Sequence, residues 1–328
     1  MSEGGDRPAQ TPSRVVPLRL RTGARRVPPL LSAGEVARRL AALERQVEGA
    51  LGTERVGRGT VALEELLEDA LGAWVRGRSW LAGQTAGLSS TVLGDASLTA
   101  LRRLWWRVDV IGRERLPDAP ALVVANRGSA LLPYEAFMAA IALSDGQRVR
   151  RTHPFVDEWL MGVPVLRSVL ESLGGQAVSP GRVRRVLDAG ESALVFPEGR
   201  DAIARRYAES YRVGRFSRTG VLRLAIERGI PIVPVGIIGV DEVHPVVARI
   251  PLPRALSLFG LPAVPVTPTL VPLPTKWTLF VGDPFDTAAR HRREDARNPQ
   301  VVRSVAVQVR ERLQGLVSDG LRRRRSIF

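Results

Sequence analysis

Apolar positions along the chain fall into two regimes. Between Ser32 and about residue 94 they recur at helical spacing: Val36, Leu40, Leu43 and Val47 make one stripe, and Leu63, Leu66, Leu67, Ala70, Leu71 and Trp74 a second. Ser32 with Glu35 forms a capping box that opens the first of these helices. From about residue 95, short apolar runs alternate with amphipathic stretches. A helix holding Leu98, Leu101, Leu104 and Trp105 leads into the alternating run WRVDVIG, 106–112. The runs PALVVAN (120–126), SALVFPEG (192–199) and IPIVPVGIIG (230–239) read as strands. Pro133 opens a helix through about Leu143, and Ser179 with Pro180 caps another that stops at Gly190. A third helix follows Ser217 and stops at Gly229. Asn298 and Pro299 start a long one with Val302, Val305, Val309, Leu313 and Leu316 on its face. Strands alternating with helices predict the α/β class: a central, mostly parallel sheet flanked by helices, with an N-terminal helical extension.

Three regions follow. Residues 1–30 are rich in proline and arginine without periodicity and are expected to form a disordered basic tail. Residues 31–94 form the helical extension, whose apolar faces suit a hairpin packed on the main domain better than a membrane-embedded device. Residues 95–328 form the α/β domain. No apolar run is long enough to span a bilayer, and the first residues lack the apolar core of a secretory signal. The chain has no cysteine, which excludes disulfides, thiolate metal sites and cysteine nucleophiles. A cytoplasmic location and no metal site are therefore expected.

A formal charge of +15 changes the picture, because it asks for an anionic partner: a membrane surface, nucleic acid or a phosphorylated substrate. Lys276 is the only lysine, so the charge is almost all guanidinium, which binds phosphate in a bidentate fork. No nucleic-acid motif accompanies it, which makes nucleic acid the least supported partner. Arg102, Arg103, Trp105, Trp106 and Arg107 offer cations and interfacial aromatics for peripheral association with the inner face of an anionic membrane. Burial of the two tryptophans is the competing reading.

Candidate chemistry lies at two strand ends. In VFPEGR (195–200) a strand ends at Pro197, Glu198 follows, and Gly199 permits a sharp turn, the kind of place where α/β sheets hold ligands. Arg200, Arg205, Arg206, Arg212, Arg215 and Arg218 follow, a set suited to phosphate. Upstream, ANRGSALLPYEAFM (125–138) leaves another strand with Arg127 in the loop and Glu135 in the first turn of the next helix. There the helix dipole favours a carboxylate and an Arg127–Glu135 ion pair is expected.

These blocks resemble the glycerolipid acyltransferases, the family of 1-acylglycerol-3-phosphate acyltransferase. FPEG resembles the family's phosphate-binding motif, and ANRGSALLPYEAFM its Asn-His-(spacer)-Asp block in the long-spacer lysophospholipid subgroup. GIPIVPVGIIGVDEVHP and GLPAVPVTPTLVPLPTKW resemble its later blocks. The resemblance runs from about residue 95 to the C-terminus. It implies transfer of a fatty acyl group from acyl-CoA or acyl carrier protein, as co-substrate and with no cofactor, to a lysophospholipid-like hydroxyl. It places the phosphate-binding role on Phe196, Pro197, Glu198 and Gly199, and Arg200, Arg215 and Arg218 of the basic set are the candidate phosphate cations beside them. It places the general-base histidine on Arg127 and the orienting aspartate on Glu135. After Gly199 the family's usual Thr-Arg is Arg200-Asp201 here.

An arginine offers only donors and stays protonated, so Arg127 cannot take the acceptor's proton. Loss of a positioned base removes roughly 10²–10⁴ in rate. Of the three histidines, His153 is the one near the first block in sequence and is the candidate replacement base. Two readings follow: an acyltransferase with impaired base chemistry, or a non-catalytic relative that binds phospholipid or acyl chains.

Overall fold

The computed structural model describes residues 98–130, 132–145, 151–162, 164–251, 263–269 and 271–328. The tail expected over 1–30 and the helical extension expected over 31–94 lie outside the described residues.

A seven-stranded sheet organises the chain. Its strands are β1 (Asp109–Ile111), β2 (Leu122–Ala125), β3 (Thr152–Val156), β4 (Gln176–Ala177), β5 (Ser192–Val195), β6 (Ile232–Ile238) and β9 (Thr278–Val281). They lie in the order β1-β9-β6-β2-β5-β3-β4. Every neighbouring pair is parallel except β6 with β9, which is antiparallel. Strands β7 (Ala248–Pro251) and β8 (Ala263–Val266) form a separate antiparallel pair. The sheet is mostly parallel and flanked by helices, as the alternation of runs predicts.

Alternation within the apolar runs decides which helices cover which face. Val123, Ala125, Leu194, Val233, Val235 and Ile237 join one cluster with Ala136, Phe137 and Ala140 of helix α1 (Tyr134–Ser144). Leu122, Val124, Ala193, Val195 and Ile232 point the other way. They pack against helices α4 (Pro180–Asp188), α5 (Gly220–Arg228) and α7 (Pro299–Arg323). Helices α2 (Glu158–Gly162) and α3 (Pro164–Ser172) follow β3, and α6 (Thr287–Arg290) precedes α7. Both faces of the sheet are thus covered, which explains why β2, β5 and β6 are buried at every position.

Helix ends fall where the sequence marks them. Ser179 Oγ accepts from Arg182 N at the start of α4, and Asn298 Oδ1 accepts from Gln300 N at the start of α7. Gly229 ends α5 in the left-handed region at φ 65°. The run WRVDVIG departs from expectation: only Asp109–Ile111 is strand, and a π-helical turn over Leu101–Trp105 precedes it. Trp106 turns inward and stacks on Trp277 at 5.0 Å between ring centroids. Arg102 is also buried and pairs with Asp145 at 2.6 Å. Of the five residues expected to face a membrane, these two face the protein instead. No helix among the described residues is long and apolar enough to cross a membrane.

Candidate active site

The loops leaving β2, β3 and β5 meet at the carboxyl end of the sheet. Asn126 starts the first loop. Its Nδ2 donates to Ile237 O at 2.9 Å and its Oδ1 accepts from Ile237 N at 2.7 Å. The side-chain amide copies a backbone pair and extends the β2–β6 ladder by one rung. Ser129 N donates to Asp241 Oδ1 at 2.8 Å, and Asp241 Oδ2 also accepts from Tyr211 N, so the loop is held from β6's end as well.

Glu198 joins the two sequence blocks. Its Oε1 accepts from Arg127 N at 3.0 Å, and its Oε2 accepts from Gly214 N at 2.6 Å and Arg205 Nη2 at 2.7 Å. The carboxyl is 1% exposed. Burial pushes it above its ordinary range, while Arg205 and the two backbone N–H groups pull it back. Glu198 is therefore a clasp between loops. Phe196, Pro197 and Gly199 are buried beside it, and Arg200 and Arg215 are exposed.

Arg127 sits inside this enclosure at 1% exposure. Nη1 donates to Glu135 Oε1 at 2.7 Å, and Nε lies 3.3 Å from Asp157 Oδ2. Asp157 Oδ1 pairs with Arg218 Nη2 at 2.6 Å. A charge chain therefore runs Glu135–Arg127–Asp157–Arg218 across three strand ends. Helix α1 places Glu135 in its first turn, fully buried. Burial pushes the Glu135 carboxyl upward, opposed first by the Arg127 charge. Arg127 Nη2, Glu135 Oε2 and Ser129 Oγ have no hydrogen-bond partner among the described residues.

The structure brings Arg127, Glu135, Glu198 and Arg218 together, engages Arg205 of the basic set with Glu198, and adds Asp157 and Asp241. Asp157 is the residue that the sequence reading missed, because the strand before it, THPFV, is not an apolar run. His153 does not join them. It pairs with Ala193 in the β3–β5 register, towards the amino end of both strands. Its charged surroundings are Arg151 and Glu191, and burial holds its imidazole below the usual value. Asp157 stands four residues further on, roughly 13 Å along the strand. Among the described residues no cluster of His, Asp and Glu could hold a metal ion.

Chemically, the enclosure supplies donors and fixed charges. A guanidinium has no lone pair to accept a proton. Glu135 has lone pairs, but one oxygen is taken by Arg127 and the side chain has no exposed surface.

The Acyltransferase family model matches residues 107–238. An uncharacterized protein of Mycobacterium tuberculosis is 36% identical over 234 residues, covering 68% of this chain and 64% of that protein. A chicken (Gallus gallus) protein described as a DGAT1/2-independent enzyme synthesizing storage lipids is 27% identical over 184 residues, 56% of this chain and 53% of that one. The chain thus spans less than two thirds of the length of these relatives. The crystal structure of the 1-acyl-sn-glycerophosphate (LPA) acyltransferase PlsC from Thermotoga maritima aligns with TM-score 0.43 at 18% identity, over 88% of this chain and 97% of that one. The family match runs from just before β1 to the end of β6.

Proposed function

We propose that this protein works in glycerolipid metabolism by binding an acyl thioester or an anionic lipid at the carboxyl end of its sheet, without the family's general-base step. One observation carries the reading: the position that the family resemblance assigns to the base holds a buried arginine, paired to Glu135 at 2.7 Å. A neutral imidazole takes a proton from the acceptor hydroxyl, whereas a guanidinium can only donate. The pair keeps the loop shape that an orienting acid and a base would require, and removes the proton acceptor. Exposed Arg200, Arg212 and Arg215 flank the buried FPEG turn, and none has an ion-pair partner among the described residues. They supply charge for a phosphate-bearing ligand in keeping with the +15 total.

The test is thiol release from acyl-CoA and acyl carrier protein thioesters with a panel of lysophospholipid acceptors, beside binding of the same ligands by calorimetry. The protein has no thiol of its own to add background. The expected result is saturable binding with no acceptor-dependent release. Acceptor-dependent release by the unmodified protein would overturn the proposal, and absence of binding would remove its ligand.

A further inference from the structure

Three chain segments lie side by side at the edge of the fold, 101–107, 271–276 and 324–328. Trp105 Nε1 donates to Pro272 O at 3.1 Å, Arg107 Nη2 to Pro274 O at 2.8 Å, and Lys276 N to Ile327 O at 2.8 Å. Each segment turns large apolar side chains outward. Leu104 is 79% exposed, Val271 66%, Phe328 40% and Trp105 38%. Exposed cations stand on the same three segments: Arg103, Lys276 and Arg325. The nearby acid Asp109 is paired with Lys276 at 3.1 Å. The residues that could have sealed this face are turned inward, since Trp106 and Arg102 are both buried.

This surface also lies against the site. Trp106 packs beneath it, 5.3 Å between ring centroids from Tyr134, and Tyr134 directly precedes Glu135. Trp106 and Tyr134 therefore connect the exposed face to the first turn of α1, which also carries Glu135.

We infer that segments 101–107, 271–276 and 324–328 together form the face that docks on an anionic bilayer. Leucine, valine, tryptophan and phenylalanine gain by entering the boundary between headgroups and acyl chains. Arginine and lysine beside them gain from the anionic headgroups. Nucleic acid would use the cations but gives aliphatic tips no base face to stack on, so the mixture favours lipid. The inference does not rest on the reading of Arg127. It concerns a surface rather than the enclosure, and soluble ligands test the two apart.

The full chain would be co-sedimented with vesicles of phosphatidylcholine alone and of phosphatidylcholine with phosphatidylglycerol, and titrated with a short DNA duplex. The variants are a Leu104→Asp, Val271→Asp pair and an Arg103→Glu, Arg325→Glu pair. All four positions are exposed, and unchanged melting would verify the fold. The expected result is binding to the anionic vesicles, weakened by each pair on the order of tenfold or more, and weak binding to neutral vesicles. Absence of vesicle binding would overturn the inference, as would vesicle binding that neither pair alters. Duplex binding that exceeds vesicle binding and responds only to the arginine pair would overturn it in favour of a nucleic-acid surface.

Discussion

Arg127 Nη1 donates to Glu135 Oε1 at 2.7 Å while both side chains are at most 1% exposed, so the loop after β2 buries a cation against the first turn of α1. A buried ion pair is costly to break on one side, because the remaining charge stays in low dielectric. Glu135→Ala is expected to destabilise the fold by about 3 kcal/mol, the low end for such pairs because Asp157 remains near Arg127. An Arg127→Met, Glu135→Leu pair should cost less than Glu135→Ala alone, since it removes both charges together. Urea midpoints for the parent and the two variants would check this, and a double variant that costs as much as Glu135→Ala or more would contradict it.

Arg127→His with Glu135→Asp supplies the imidazole and acid that the resemblance implies. Asp157 stays paired with Arg218, so it is not stranded by the loss of the guanidinium. A positioned base contributes about 10²–10⁴ in rate, and on the proposed function acceptor-dependent thiol release should appear in the double variant and not in the parent. Absence of release in a folded double variant that still binds acyl-CoA would place the lost function beyond the base alone.

Legibility in the sequence followed the length and character of the runs. β2, β5 and β6 could be read because strands buried on both faces are apolar at every position. Strand β3, written THPFV, carries a threonine, a histidine and a proline, and forms because β5 and β4 pair with it on either side. Missing that strand hid Asp157, which stands at its carboxyl end. The pairing of Arg127 with Glu135 was legible because one loop and one helix start contain both. The contact of Asp157 with Arg218 spans separate strand ends and is set only by sheet order. For Trp105 and Trp106, local spacing offers two cations and two aromatics without saying which turns inward. The stacking partner Trp277 settles that from far along the chain.

His244 gives a pH test away from the charge chain. Nδ1 lies 3.2 Å from Thr269 O, which can only accept, so the Nδ1–H tautomer is fixed and Nε2 faces the Tyr134 hydroxyl at 3.4 Å. Burial holds the imidazole below its ordinary value of 6.5, and the Thr269 carbonyl opposes that shift. Between the folded value and 6.5 the unfolded chain binds more protons, so stability falls as pH drops through that window and levels off below it. Proton NMR should place the His244 midpoint below 6.5. Unfolding measured across the window should lose part of its slope in His244→Gln. His153 is shifted in the same direction and accounts for a remaining slope. A midpoint at or above 6.5 would contradict the buried neutral ring.

Gly199 turns the chain just after the Glu198 clasp at φ 64°, in the left-handed region that a side chain disfavours by about 1–2 kcal/mol. Space is short as well. A Cβ there would stand 2.9 Å from Arg218 Nε and 3.1 Å from Ser217 Oγ. Gly199→Ala must therefore pay the backbone strain and also displace the guanidinium that holds Asp157. The expected loss is about 2–3 kcal/mol, above the backbone term alone because the Arg218–Asp157 pair is disturbed with it. Pairing Gly199→Ala with Arg218→Ala separates the two causes. Arg218→Ala opens the space, so the added cost of Gly199→Ala in that background should fall to the backbone term. An equal cost in both backgrounds would assign the whole effect to the turn and none to the contact with Arg218.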